Sequence, residues 1–284
     1  MNDTKKSPLV SVVIPTYKRP AELKRAIESV LIQDHDTLEI LVIDDNPPES
    51  EWREKTVKML ASLEGPIRHI PTEGGLGGAG ARNVGIDAAT GPYLAFLDDD
   101  DEWLPDKLLP QLDLLASLPE TVCSVDTGFW EIDEAKGTRK IVQPALRGEI
   151  FDDLLVKHKG RAPKLSSMLC RTSALREIGG FDASLPARQD LDLYLRLARN
   201  YTFEYIEDPL INKYIHAGDR ITANVKSKIR AFDLFYAKYR PDFLSRPGLH
   251  RIFLRKQALW LLYDRRFLRG IKTLFLSIHP PRKD

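Results

Sequence analysis

At 284 residues, 43% of them apolar and 29% charged, the chain can bury a sizeable core, and its composition excludes a disordered, collagenous or disulfide-stapled protein. Two cysteines without paired spacing, Cys123 and Cys170, exclude a zinc-finger framework, and the lack of any run of about 18 apolar residues excludes a membrane-spanning helix. The net charge of +1 hides a division: from Val225 onward fifteen Lys and Arg face four acids, a +11 tail on a −10 body, and no aromatic platform or reading motif accompanies those bases as nucleic-acid binding would require.

In chain order, 9–14 is a β-branched run stopped by Pro15-Thr16 and reads as a buried strand, and Pro20 opens a helix with Leu23, Ile27, Val30 and Leu31 on one face. A second buried strand, 38–43, ends in Asp44-Asp45-Asn46-Pro47, where Asp44 suits an Asx turn. A helix near 51–63 and a short strand over 67–70 follow. Apolar strands alternating with helices predict a mostly parallel sheet covered on both faces.

The segment 74–83, GGLGGAGARN, holds a literal G-x-G-x-x-G at Gly75, Gly77 and Gly80 between a strand and a helix. That pattern raises a nucleotide-dependent oxidoreductase as one reading. Against it, the first βα turn has no glycine, and the acidic group about 20 residues on is a cluster of four carboxylates rather than one. A glycine loop opening a helix still favours an anion such as phosphate.

The apolar run 93–97 then feeds Asp98-Asp99-Asp100-Asp101. Four adjacent carboxylates cannot all stay ionised in a dry interior. At the carboxyl end of a strand in an α/β sheet they sit where such folds bind ligands, and Mg²⁺ or Mn²⁺ prefers such oxygens. The alternative is a solvated acidic turn.

These residues together, VSVVIPTYKRP, EILVIDDN and GARNVGIDAATGPYLAFLDDDDEWLPDKL, resemble an inverting family 2 glycosyltransferase over roughly residues 8–220. The resemblance implies a GT-A-type three-layer α/β/α domain over 1–224, with 225–284 as a basic helical extension. It implies Asp100 as direct ligand of Mn²⁺ or Mg²⁺ on the donor diphosphate, with Asp98 and Asp99 against the ribose and the metal's water shell, Asp98 also as a metal candidate. The run of four leaves that register open by one residue. Asp101 is expected to cap the following helix. The base-binding elements fall on Pro15, Thr16, Tyr17 and Asp45, and Arg82, expected in the first turn after the glycine loop, is a candidate for the diphosphate. Lys18-Arg19 stands where the family commonly carries an Asn.

Further on, a helix is expected over 105–116, strands over 122–125, 129–132, 164–171 and 201–206, and a hairpin tip around 134–137. Arg188-Gln189-Asp190 matches the family's Glu-Asp pair opening a helix, with Gln189 in place of Glu. That implies Asp190 as general base, leaving Asp192 to an N-cap role. His216 is a further metal or diphosphate ligand by the same resemblance, and Arg220 a weaker one.

In the tail, Leu254, Ala258, Leu261, Leu262, Leu268, Ile271 and Phe275 recur at helical spacing with Arg and Lys between them, near Trp260 and Phe267. Such helices either lie on an anionic membrane or pack on the domain. The resemblance therefore implies an inverting, metal-dependent transferase. Its donor is a nucleotide sugar, a UDP-sugar first, and its acceptor a saccharide or lipid-linked saccharide hydroxyl in bacterial surface polysaccharide or glycolipid synthesis. A non-catalytic sugar-nucleotide binder is a third reading. The polar opening MNDTKKSP has no leader-like apolar stretch, so a cytoplasmic protein at the inner face of the membrane is expected.

Overall fold

The computed structural model describes residues 7–156, 162–215 and 225–278. Strands β1 (Val10–Thr16), β2 (Leu38–Asp44), β3 (Ile67–Pro71) and β4 (Tyr93–Phe96) alternate with helices α1 (Pro20–Leu31), α2 (Glu51–Leu60) and α3 (Gly77–Ala88). β5 (Asp101–Trp103), α4 (Leu108–Ser117), β6 (Val122–Asp133), β7 (Thr138–Val142), α5 (Phe151–Val156) and β8 (Leu169–Arg171) follow. The chain continues through α6 (Thr172–Glu177), α7 (Gln189–Leu197), β9 (Thr202–Tyr214), α8 (Val225–Leu244), α9 (Pro247–Tyr263) and α10 (Phe267–Ile278).

The sheet runs β3-β2-β1-β4-β8-β6-β9-β5, with β7 paired to β6. The β3-β2-β1-β4 half is wholly parallel, as the buried apolar runs require. Beyond β4 the sheet is mixed: β8 is antiparallel to β4 and β6, and β9 runs parallel to β6. The expected pairs of short strands differ in detail. Residues 122–133 form one strand, because Gly128 and the register shifts let it bend without breaking. Residues 165–167 form a 3₁₀ turn before the three-residue β8.

Alternation along β1 and β2 makes the layers. Val10, Val12, Ile14, Ile40 and Val42 face a core shared with Leu23 and Ile27 of α1 and Leu108 and Leu112 of α4. Val13, Leu41 and Ile43 face the opposite core, shared with Ala79, Ala81 and Ile86 of α3 and with residues of α5 to α9. A period of two in the strands thus yields a three-layer α/β/α body. The layer on the α3 side depends on Gly85, where a Cβ would come 2.2 Å from Val13 Cγ1. α8 and α9 belong to that same core through Phe232, Phe235, Tyr239, Phe243 and Phe253.

Candidate active site

The chain moves outward from β1 through β2 to β3, then returns to place β4 on the other side of β1. That reversal opens a crevice at the carboxyl ends of β1 and β4, the place where open α/β sheets take ligands. A cleft of about 560 Å³ lies there, and Pro15, Thr16, Tyr17, Asp45, Arg82, Asp98, Asp99 and Asp100, all singled out in the sequence, line it together.

Thr16 ends β1 and donates its hydroxyl to Asp99 Oδ2 at 2.9 Å, a buried bond across the crevice. Burial pushes the Asp99 carboxyl up to about 7, against the pull of Thr16 and Arg19. Asp98 is half-buried; burial works against its charge, but Arg82, at 2.5 Å from Oδ1, and Lys213 outweigh this and hold its carboxyl below the usual range. Asp101 is fully buried and sits in β5, not at a helix cap, because β5 pairs with β9 and brings Lys213 Nζ to 2.9 Å. Ser166 donates to the same Asp101 oxygen at 2.7 Å, and burial raises this carboxyl to about 6 despite Lys213.

Asp98, Asp100 and Asp101 can each offer one oxygen within 4.8 Å of the others. Asp101 Oδ1 is buried and accepts no hydrogen bond among the described residues. A set of carboxylates with an orphaned oxygen suits a hard divalent cation completing its shell with phosphate and water.

Asp45 stands at the end of β2 and organises the glycine loop. Thr72 Oγ1 and the Leu76 amide donate to its Oδ1, at 2.7 and 3.1 Å, and the Gly77 amide to its Oδ2 at 2.8 Å. A carboxylate on these amides lets α3 begin at Gly77, so Arg82 lies in its second turn rather than the first. Gly74, Gly75 and Gly77 all take positive φ, which the loop requires. Asp44 forms the expected Asx turn, accepting from the Asn46 amide at 3.0 Å.

Arg19 and Asn83 carried no expectation, and both tie the site together. Arg19 Nη1 lies 2.5 Å from Asp100 Oδ2 and 3.3 Å from Asp99 Oδ1. Asn83 of α3 exchanges two hydrogen bonds with the Phe181 backbone, at 2.9 and 2.7 Å, fastening the segment that leads to α7. The only signal for Arg19 was its place just past strand one; Asn83 had none. Asp190 lies in the first turn of α7, exposed, its Oδ1 accepting from the Leu191 amide at 2.8 Å. It does not line the 560 Å³ cleft. Asp192 is not an N-cap: it is buried and paired with Arg196 at 2.8 Å and Lys238 at 2.7 Å. His216 and Arg220 lie outside the described residues.

A doubly covered sheet with carboxylates, a glycine loop and a cleft at its switch point defines an α/β protein built to take a ligand at that crevice. The sequence pattern described as Glycosyl transferase family 2 matches residues 11–179, and the chain belongs to that family. It is 28% identical over 297 residues to the amylovoran biosynthesis glycosyltransferase AmsB of Erwinia amylovora, covering 96% of this chain and 93% of AmsB. Against four Rickettsia glycosyltransferases that it matches at 29–30% identity, the chain spans 35%, 42%, 65% and 65% of their lengths. Its fold is similar to that of Staphylococcus aureus TarS 1-349 in complex with UDP-GlcNAc, with a TM-score of 0.66 at 15% identity over 94% of this chain and 79% of that one. It is also similar to the mannosyltransferase PcManGT of Pyrobaculum calidifontis in complex with GDP-Man and Mn²⁺, with a TM-score of 0.62 at 19% identity over 98% and 77%. The GT-A fold is thereby established. Among the described residues no helix is long and apolar enough to cross a membrane.

Proposed function

We propose that this chain transfers a sugar, with inversion, from a nucleoside-diphosphate sugar to an acceptor hydroxyl. The acceptor is a saccharide or lipid-linked saccharide of bacterial surface polysaccharide or glycolipid, with residues 1–224 carrying the reaction. The observation that carries this reading is the convergence of Asp98, Asp100 and Arg82 on one cleft at the switch point of the sheet, with the buried Asp101 carboxylate within 4.8 Å of those of Asp98 and Asp100. AmsB, by its name a glycosyltransferase of amylovoran biosynthesis, supports the polysaccharide setting.

Asp100, Asp98 and Asp101 would hold Mn²⁺ or Mg²⁺, with His216 as an added candidate ligand. Such a cation stabilises the negative charge that develops on a departing diphosphate. Arg82 and Arg19 supply fixed positive charge beside it. Tyr17, 48% exposed at the cleft mouth, offers a face to the nucleobase beside Pro15 and Thr16. Asp45 already accepts three hydrogen bonds, so about one of its four acceptor positions is left for a ring N–H, which uracil and guanine possess. This suits a UDP-sugar, the donor expected from the sequence, and a GDP-sugar equally. Asp190 takes the proton from the acceptor hydroxyl; the oxygen bonds to the anomeric carbon as the carbon–phosphate oxygen bond breaks on the opposite face.

The oxidoreductase reading loses its main support, because the Leu76 and Gly77 amides of the glycine loop already serve Asp45. A transfer assay over a panel of nucleotide sugars tests the proposal, with product configuration read by NMR. Asp190→Asn should lower turnover by about 10²- to 10⁴-fold while leaving donor affinity unchanged. An Asp190→Asn enzyme of full activity would remove the base assignment, and donor binding without turnover in the wild type would make the chain a sugar-nucleotide binder.

A further inference from the structure

We propose that the outward face of α10 docks on an anionic lipid bilayer. A helix on a water-soluble body normally buries its apolar stripe. α10 does the reverse. Gly270, Thr273 and Ser277 are its buried residues, one stripe at helical spacing. The approach to the preceding helix is close, since a Cβ on Gly270 would come 2.7 Å from Leu262 Cδ2. Packing through small residues turns the large apolar ones outward: Leu268 is 90% exposed, Phe275 66% and Ile271 60%, with Phe267, Leu274 and Ile278 on the same side.

The occupant of this face follows from charge. α10 contains no acid; Arg266 and Arg269 are held in ion pairs by Asp264 and Asp233, and Arg265 and Lys272, which make no ion pair among the described residues, are the cations left for headgroups. Apolar side chains at the acyl boundary with Arg and Lys among phosphate headgroups is the arrangement of an interfacial helix. A second copy of this chain would bring the same cations face to face. At 12 residues the helix is about 18 Å long, too short to span a bilayer, so it lies on the surface. α8 and α9 anchor this face to the catalytic body through the shared core. The membrane contact in the reading above is thus assigned to one surface, and its loss would leave transfer to a water-soluble acceptor intact.

Cosedimentation of the full chain with vesicles tests this. Binding to phosphatidylcholine vesicles containing phosphatidylglycerol should exceed binding to phosphatidylcholine alone by about tenfold and weaken with salt. The double variant Leu268→Gln, Phe275→Gln should lose about tenfold or more of that binding with an unchanged melting temperature, both side chains being exposed. The pair Arg265→Gln, Lys272→Gln should weaken binding only to the anionic vesicles. Absence of vesicle binding by the wild type, or full binding by the double variant, overturns the proposal. A dimer in light scattering that Leu268→Gln, Phe275→Gln dissolves, without vesicle binding, assigns the face to a second copy instead. Donor turnover measured alongside separates this failure from failure of the transferase reading.

Discussion

Arg19 reaches two carboxylates, Asp99 and Asp100, 80 and 81 positions away in sequence, and holds a positive charge against the cluster that is proposed to receive a cation. Guanidinium and divalent cation compete for Asp100. Arg19→Ala is therefore expected to tighten Mn²⁺ binding severalfold in calorimetry while weakening nucleotide binding, since the same charge is lost to the diphosphate. Looser Mn²⁺ binding in the variant would contradict that competition. The Asp run was legible as a site because a buried strand feeds it, yet the tasks of its members were not: Asp101 looked like a cap and is a buried partner of Lys213 from β9. Which distant cation reaches which carboxylate is decided by strand pairing, and no local pattern records it. Asp126, buried on β6, has its carboxyl raised to about 6, chiefly by burial against the Ser167 hydrogen bond. The folded state then holds this proton more tightly than the unfolded chain does. The Asp126 contribution to stability is present in full below the ordinary carboxylate pKa of about 4 and falls away as pH rises through about 6. Asp126→Asn should remove that slope, a difference on the order of 3 kcal/mol between pH 4 and 7 in paired denaturation curves. Parallel curves would contradict it.

α7 is held from behind by α8. Asp192 is buried against Lys238, Arg196 and the Tyr239 hydroxyl, the last at 2.8 Å. Arg188, at φ +67 just before α7, stacks 3.8 Å from the Phe232 ring centre. Asp192→Ala leaves Arg196 without its carboxylate, while Lys238 keeps Asp182 at 2.6 Å, and should cost about 3 kcal/mol in unfolding free energy; a change below about 1 kcal/mol would show that the cluster does not support α7. On the sheet's α3 side, Gly85→Ala drives a methyl into Val13 and is expected to destabilise by about 1–3 kcal/mol in the same assay. Helical periodicity found the tail helices, but it reads the buried Leu254, Ala258 and Leu261 and the exposed Leu268, Ile271 and Phe275 alike. The destination of an apolar stripe depends on what its neighbour offers, and α10 meets the preceding helix through its small residues instead.

For the molecule as a whole, the parallel half of the sheet was the most legible part, since near-continuous apolar strands separated by helices admit few arrangements. The mixed half was less so: short strands such as β5 and β8 gain their pairing from tertiary contacts rather than from pattern. The proposed division of labour gives the N-terminal sheet to the donor, the α7 side to the acceptor, and the outward face of α10 to the membrane. Its centre is a nucleotide sugar bound through a cation at Asp98–Asp101. The most direct test is thermal unfolding with a panel of nucleotide sugars, with and without Mn²⁺, on the wild type and on Asp100→Ala. Ligand at about 100 times its Kd adds about 2.7 kcal/mol to the folded state, which reads as a rise of several degrees. Such a rise is expected for one nucleoside-diphosphate sugar, only with Mn²⁺, and is lost in Asp100→Ala. A rise with a nicotinamide dinucleotide but with no nucleotide sugar, or one that survives Asp100→Ala without metal, would contradict it.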